Sequence, residues 1–348
     1  MTNSSRFYFY EHQHKGEQYL NALEAAGFER VPPSEADFAL LDHESGHFGM
    51  GFASELGYFA ERRVPIFTYP HTARPGFVYD LHKHWPYTRA KFVHSPGFKE
   101  VLESLECPVP IEVVGWPYSE IKPFEKREPG KKLKVLFGPI HPNANGWLCP
   151  WYCETNTRML QLLLNTPDID LTIRYFHRLE EQGLWHCDKA TYVQAEPDGS
   201  TKEIEEADVV IGAFTFAYLA LAMGKPTIMI GELTRPHAGN KPWNVRWSLN
   251  WEKYFENTCF TYNGELYFDQ PEKFRKILEQ SLDPTDEVIN WREKFIGRPF
   301  DAGLFIEKLK IHLEKEQQWP SSQKVIVSIW STQRVPSTLS LGNMRVND

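Results

Sequence analysis

Anion-binding side chains gather at three places in the second half of this chain, each at or just after a run that reads as a β-strand. Ala207 to Glu232, ADVVIGAFTFAYLALAMGKPTIMIGE, spells strand, tight turn, short helix, stop and second strand. At such a handover the unpaired N–H groups of the helix and its dipole converge on an anion. The turn Ala213-Phe214-Thr215-Phe216, at the start of that helix, is therefore where a phosphate is expected. The strand ending at Ile230 leads into Glu232, Arg235 and His237, next to that turn in this reading. Arginine suits a diphosphate because its planar fork makes two charge-assisted bonds at once. Arg174, in the strand Leu171 to Phe176, fits either such a clamp or an ion pair with a surface acid. Gly138 to Trp147 is a Gly-, Pro- and Asn-rich loop at a strand end, offering His141 and the amides of Asn143 and Asn145 to a ligand. These groups together have the chemistry of a phosphate or diphosphate site.

The elements that must position them follow from local pattern. Asp208 to Ile211 is a short β-branched run, the mark of a strand buried on both faces. Thr215 is expected to cap the next helix, whose Phe216, Leu219, Ala220 and Met223 recur at helical spacing; Gly224 and Pro226 stop it. Upstream, Ser200 and Glu203 have capping-box spacing. Lys134 to Gly138 opens this half of the chain, and Thr155 is expected to cap a helix with Met159, Leu160, Leu163 and Leu164 on its inner face. Thr191 to Ala195 is a further strand.

The first half repeats the alternation. Phe7 to Tyr10, Ala39 to Leu41, Pro65 to Tyr69, Lys91 to His94 and Ile111 to Gly115 read as strands, with helices at Gly16 to Ala26, Phe52 to Arg63 and Pro96 to Leu105 between them. Strand–helix alternation implies an α/β fold with parallel sheets and helices on both faces. Lys122 to Lys132, KPFEKREPGKK, is charged and punctuated by Pro and Gly, as an exposed hinge between two domains would be. The expected plan is an N-terminal Rossmann-like domain over residues 1–121, a hinge over 122–132, a second Rossmann-like domain over 133–318 and a loosely attached tail over 319–348. Two C-terminal helices close it, one starting near Asp283-Pro284 and ending at Gly297, the other capped by Asp301. Trp243, Trp247 and Trp251, spaced by four, fit a packed interdomain seam, with a carbohydrate-stacking platform as the alternative.

Composition narrows the partners. The net charge of −8 over 348 residues argues against a broad nucleic-acid or anionic-membrane surface. No apolar run approaches the ~20 residues of a membrane helix, and Met1 to Tyr10 lacks a signal-peptide core, so the expectation is a cytoplasmic protein. Five scattered cysteines read as reduced thiols rather than as a disulfide framework or a metal site.

Two Rossmann-like domains, a hinge and closing C-terminal helices resemble the GT-B architecture of nucleotide-sugar glycosyltransferases. The nearer resemblance is to the CDP-glycerol glycerophosphotransferase and UDP-N-acetylglucosamine 2-epimerase branch. It is carried by Tyr69-Pro70-His71, by Val114-Gly115-Trp116-Pro117-Tyr118 and by the unit Asp208 to Pro226. The resemblance implies an interdomain cleft, with the acceptor on the first domain and the donor on the second, its diphosphate on the turn Ala213-Phe214-Thr215-Phe216 and bound by the Thr215 hydroxyl and the backbone N–H groups after it. It implies that His71 activates the acceptor, a role imidazole fills because its pKa of ~6.5 lets it accept a proton near neutrality. Arg74 beside it would meet an anionic acceptor or a donor phosphate. Many relatives carry a ribose-binding Glu where this chain has Leu219, which leaves Glu232 or Glu206 as substitutes and the nucleotide open. The activity so implied is metal-independent transfer of a glycosyl or glycerophosphoryl group from a nucleotide-diphosphate donor, such as a nucleotide-sugar or CDP-glycerol, to a hydroxyl acceptor. The donor is a substrate, and no cofactor is called for. Sugar-nucleotide epimerisation, non-catalytic nucleotide or glycan binding, and glucosylation of DNA bases are the alternatives.

Overall fold

Two all-parallel sheets, each assembled from consecutive strand–helix units, make up the chain in a computed structural model. It describes residues 5–10, 16–42, 57–70, 87–104, 107–124, 132–140, 150–176, 178–195, 201–229 and 270–315. The first sheet runs β2-β1-β3-β4-β5-β6 in space, from β1 (Arg6–Tyr10), β2 (Glu29–Arg30), β3 (Phe38–Leu41), β4 (Ile66–Thr68), β5 (Thr88–Val93) and β6 (Ile111–Val113). The second runs β11-β10-β7-β8-β9, from β7 (Leu133–Phe137), β8 (Ile169–Tyr175), β9 (Ala190–Gln194), β10 (Val209–Gly212) and β11 (Thr227–Met229). Both sheets are parallel because every described connection passes over a face, and a parallel pair needs such a crossover.

Helices cover the faces: α1 (Glu17–Ala25), α2 (Pro96–Ser104), α3 (Pro150–Asn165), α4 (Lys202–Glu206), α5 (Phe214–Ala222), α6 (Pro271–Ser281), α7 (Asp286–Phe295) and α8 (Ala302–Glu314), and residues 57–61 are helical as well. One face of the first sheet, Phe7, Phe9, Phe38, Leu40, Phe67, Ala90 and Phe92, packs against Tyr19 and Leu23 of α1 and Phe305 and Leu309 of α8. The C-terminal helix α8 thus belongs to the first sheet's core, although the sequence grouped it with the second domain. In the second sheet Val135, Phe137, Leu171, Ile173, Val209 and Ile211 face α3 and α6, while Leu136 and Val210 face α4 and α5.

The chain crosses between the two halves twice, and the two crossings are bonded to each other. Trp116 N–H donates to Arg298 (2.7 Å), Phe300 N–H to Trp116 (3.2 Å) and Asp301 N–H to Val114 (2.8 Å). Gly115 has φ +95, and a Cβ there would lie 2.2 Å from the Pro299 carbonyl oxygen, so only glycine lets the two segments approach. Of the expected hinge, residues 122–124 lie against the second half: Lys122 N–H donates to Ala222, and Phe124 packs beside α5 and α7.

Asp301 accepts from Leu304 N–H as expected, and Gly224 and Gly297 close their helices at φ +75 and +79. Other expected N-caps differ. α3 starts at Pro150, so Thr155 lies inside it; proline at a first helical position forfeits only a donor that has no partner there. α4 takes Thr201 as N-cap without a side-chain bond, in place of a Ser200 capping box. α7 starts at Thr285, which accepts from Val288 N–H. α6 was not expected at all, although Phe274, Leu278 and Ser281 mark its buried stripe.

Candidate functional site

The strand order of the second sheet creates a switch point. From β7 the chain proceeds through β8 to β9 on one side, then returns to β10 and β11 on the other. The connections leaving β7 and β10 therefore diverge at their carboxyl ends, where open α/β sheets bind ligands. The turn from β10 into α5 opens there.

Thr215 does not cap α5. The N-cap is Ala213, in extended conformation and with no side-chain capping bond, and Phe214 to Phe216 form the first turn. Ala213 supplies the helix's first acceptor, from Ala217 N–H at 3.4 Å, and the first N–H groups have no intrahelical partner by geometry. Thr215 is half-buried in this turn. Its hydroxyl is thus not consumed by the capping role that the sequence assigned to it.

Phe216 lies across the switch point. The ladder pairs Phe137 with both Ile173 and Ile211, so the next residues, Gly138, Arg174 and Gly212, share one level and the face of Leu136 and Val210. A Cβ on Gly138 would stand 2.4 Å from the Phe216 ring, and one on Gly212 2.5 Å from it. The two glycines clear a slot at the strand ends, and the ring fills it. Arg174 completes the row, its guanidinium carbon 5.5 Å from the Phe216 ring centroid and 5.9 Å from that of Phe176. Its Nε lies 3.8 Å from Glu203 Oε2 of α4. Arg174 is 3% exposed. Of its two expected roles, an ion pair is formed, with a mostly buried acid rather than a surface one.

Phe176, at the end of β8, is 42% exposed, a large apolar ring left in solvent at the rim of this edge. In the first sheet, Tyr69 at the end of β4 stacks on Tyr19 at a centroid distance of 4.6 Å. Tyr118 donates its hydroxyl to the Pro70 carbonyl (2.6 Å), tying the segment before His71 to the first crossing. Two motifs that are separate in sequence, at 69–71 and 114–118, meet in this bond. His71, Arg74, His141, Asn143, Glu232, Arg235 and His237 lie outside the described residues, as do Trp243, Trp247 and Trp251. Of the candidate site residues, the structure brings Arg174 and Phe216 together and sets Phe214 and Thr215 in the same first turn of α5.

Two sheets with these orders, a switch point in each (β1/β3 and β7/β10) and a returning C-terminal helix decide the architecture. The fold is GT-B. The chain superposes on the spinosyn rhamnosyltransferase SpnG with 13% identity and a TM-score of 0.54, over 88% of this chain and 100% of that one. It superposes on the spinosyn forosaminyltransferase SpnP with 11% identity and a TM-score of 0.51, over 90% and 100%. No family profile and no curated sequence matches it. Likeness at this identity is a likeness of fold. Among the described residues of this GT-B chain, no cluster of His, Cys, Asp and Glu has the makings of a metal site, and no helix is long and apolar enough to cross a membrane.

Sequence reading passed over Asn156, Gly212 and Gln182. Asn156 carried a signal: it stands three and four residues before Met159 and Leu160, a lone amide on the buried stripe of α3. Gly212 carried none, because its partner Phe216 had been read as an ordinary inward-facing residue.

Proposed function

We propose that this chain transfers a glycosyl group from a nucleotide-diphosphate donor to a hydroxyl of an acceptor. The observation that carries the reading is the first turn of α5, which opens at the switch point of a GT-B donor domain with no side chain capping it. In the proposed reaction His71 takes the proton of the acceptor hydroxyl, whose oxygen attacks the anomeric carbon. The bond from that carbon to the diphosphate oxygen breaks, and the nucleoside diphosphate departs with the bonding pair. Its charge is met by the N–H groups of α5, the Thr215 hydroxyl and Arg235, aided by His141, Asn143 and His237 on the donor side, with no metal ion or cofactor in the scheme. Glycosyl transfer is preferred to glycerophosphoryl transfer because the two structures of like fold are named as rhamnosyl and forosaminyl transferases.

A thermal-shift titration with UDP, dTDP, GDP, ADP and CDP tests the donor site, because a ligand of the folded state raises the melting temperature by mass action. One nucleotide class should stabilise the wild type. Thr215→Val should lower that response while leaving the unliganded melting temperature almost unchanged, since the hydroxyl caps nothing. Absence of any shift at millimolar nucleotide would sink the reading. Product analysis with nucleotide-sugars and CDP-glycerol then separates the reactions: glycosyl transfer releases a nucleoside diphosphate, glycerophosphoryl transfer CMP.

A further inference from the structure

Asn156 is completely buried on α3, in line with Met159, Leu160 and Leu163. A leucine would fill this place without the cost of desolvating an amide. Every hydrogen-bonding atom of the amide is nonetheless used, and each partner is backbone at the carboxyl edge of the second sheet. Oδ1 accepts from Ile140 N–H (2.8 Å), and Nδ2 donates to the Ile140 carbonyl (2.8 Å) and to the Gln182 carbonyl (2.9 Å). Ile140 is therefore gripped on both of its peptide groups, at the last described residue before His141 and Asn143. Gln182 is itself fully buried, and its Oε1 lies 3.5 Å from the Phe176 N–H that follows β8. Asn156 thus ties the segment leaving β7 directly to the turn after β8, and the Gln182 side chain links that turn back to the end of β8.

We propose that Asn156 is a positioning residue of the donor site, setting the peptide from which the His141 segment departs relative to the turn after β8. This rests on the donor reading above. It assigns Asn156 no contact with substrate: its effect passes through Ile140 and Gln182. Misplacement by ~1 Å at a site of this kind costs up to about a hundredfold in rate or affinity. The neighbouring Thr157 supplies an internal control, because its hydroxyl donates to the Gly183 carbonyl (2.6 Å) and so holds the same turn without touching Ile140.

The test measures nucleoside-diphosphate affinity by calorimetry for wild type, Asn156→Ala, Asn156→Asp and Thr157→Val, using whichever of UDP, dTDP, GDP, ADP and CDP binds the wild type. All measurements are made well below the melting temperature of each variant. Asn156→Ala should weaken binding by about tenfold or more, whereas Thr157→Val, with its own loss of melting temperature, should change it less than about twofold. Asn156→Asp keeps the shape and stands in should the alanine form not fold. Its carboxylate faces two carbonyls and loses affinity at about pH 8, but its protonated form again offers one donor and one acceptor, so affinity relative to wild type should recover by about pH 5. Equal affinities in wild type and both Asn156 variants, or a Thr157→Val loss as large as that of Asn156→Ala, would overturn the positioning role while leaving the donor reading intact. A wild type that binds none of the five nucleotides overturns both.

Discussion

At the residue scale the informative pair is Gly212 and Phe216. Glycine at the end of a central strand is commonly read as room for a phosphate, but here the room is taken by an aromatic ring from the following helix. Adding a methyl at position 212 forces the ring out of its slot and away from Arg174, whose charge it helps to cover. Gly212→Ala should therefore destabilise the fold by about 1–3 kcal/mol, the usual cost of overpacking a well-filled site. The double variant Gly212→Ala, Phe216→Leu should recover part of that loss, since a shorter side chain leaves space for the methyl. Urea titrations of the four-member cycle measure the coupling, and simple additivity would show that ring and glycine do not meet. Thr215 makes the complementary point. Its type and place before an apolar period made it read as an N-cap, yet the capping position falls two residues earlier, on Ala213, which no side-chain rule would select.

At the element scale, strands β3, β7, β8 and β10 were legible because apolar and β-branched runs between Gly, Pro and polar breaks have few other readings, and α7 and α8 because Asp301 and Gly297 punctuate them. The start of α3 was not, because Pro150 sits among residues with no clear period and a threonine five positions on offered a familiar cap. The docking of residues 122–124 was invisible for a different reason: the partners of this stretch lie far along the chain, Glu205 for the Lys122 ammonium (3.1 Å) and Arg292 for the Lys122 carbonyl. Arg292 of α7 donates to the Leu221 carbonyl (2.7 Å), to the Ala222 carbonyl (2.9 Å) and to the Lys122 carbonyl, and its guanidinium stacks over Phe124 at 4.7 Å. It thereby caps the end of α5 and fastens the first crossing to the second half. Burial lowers its pKa from the usual arginine value, with Glu293 acting in the opposite sense. Arg292→Met keeps most of the apolar stem and removes every donor, leaving carbonyls at a half-buried helix end without it. The expected loss is about 3 kcal/mol by denaturant unfolding. A change below about 0.5 kcal/mol would mean that water replaces the guanidinium at no cost.

The whole molecule is organised so that neither half of the chain in sequence is a complete unit. The first sheet draws its inner face from residues 6–93, but Phe305 and Leu309 of α8, nearly two hundred residues beyond the last strand of that sheet, lie buried against Phe92, Tyr19 and Val114. His312 adds a buried polar tie, 2.8 Å from Glu112 of β6. Removing α8 would expose a face rich in aromatic rings, which dominate core energetics because each buries ~150–250 Å². A fragment of residues 1–124 should accordingly be loosely packed: strand-rich and helical by far-UV circular dichroism, weak in near-UV signal and avid for a hydrophobic dye. A synthetic peptide covering residues 298–315 contains α8, its Asp301 cap and the segment that bonds Trp116 and Val114. Added in trans, it should restore near-UV signal and suppress dye binding, and the same peptide with Phe305→Ala and Leu309→Ala should not. A fragment that is already tightly packed without the peptide would refute the shared core. The expected result has a functional corollary. Because the second crossing leads directly into α8 and is bonded to the first, through Trp116 with Arg298 and Phe300 and through Val114 with Asp301, any movement of one sheet against the other is expected to bend both crossings together and to carry α8 with the first sheet.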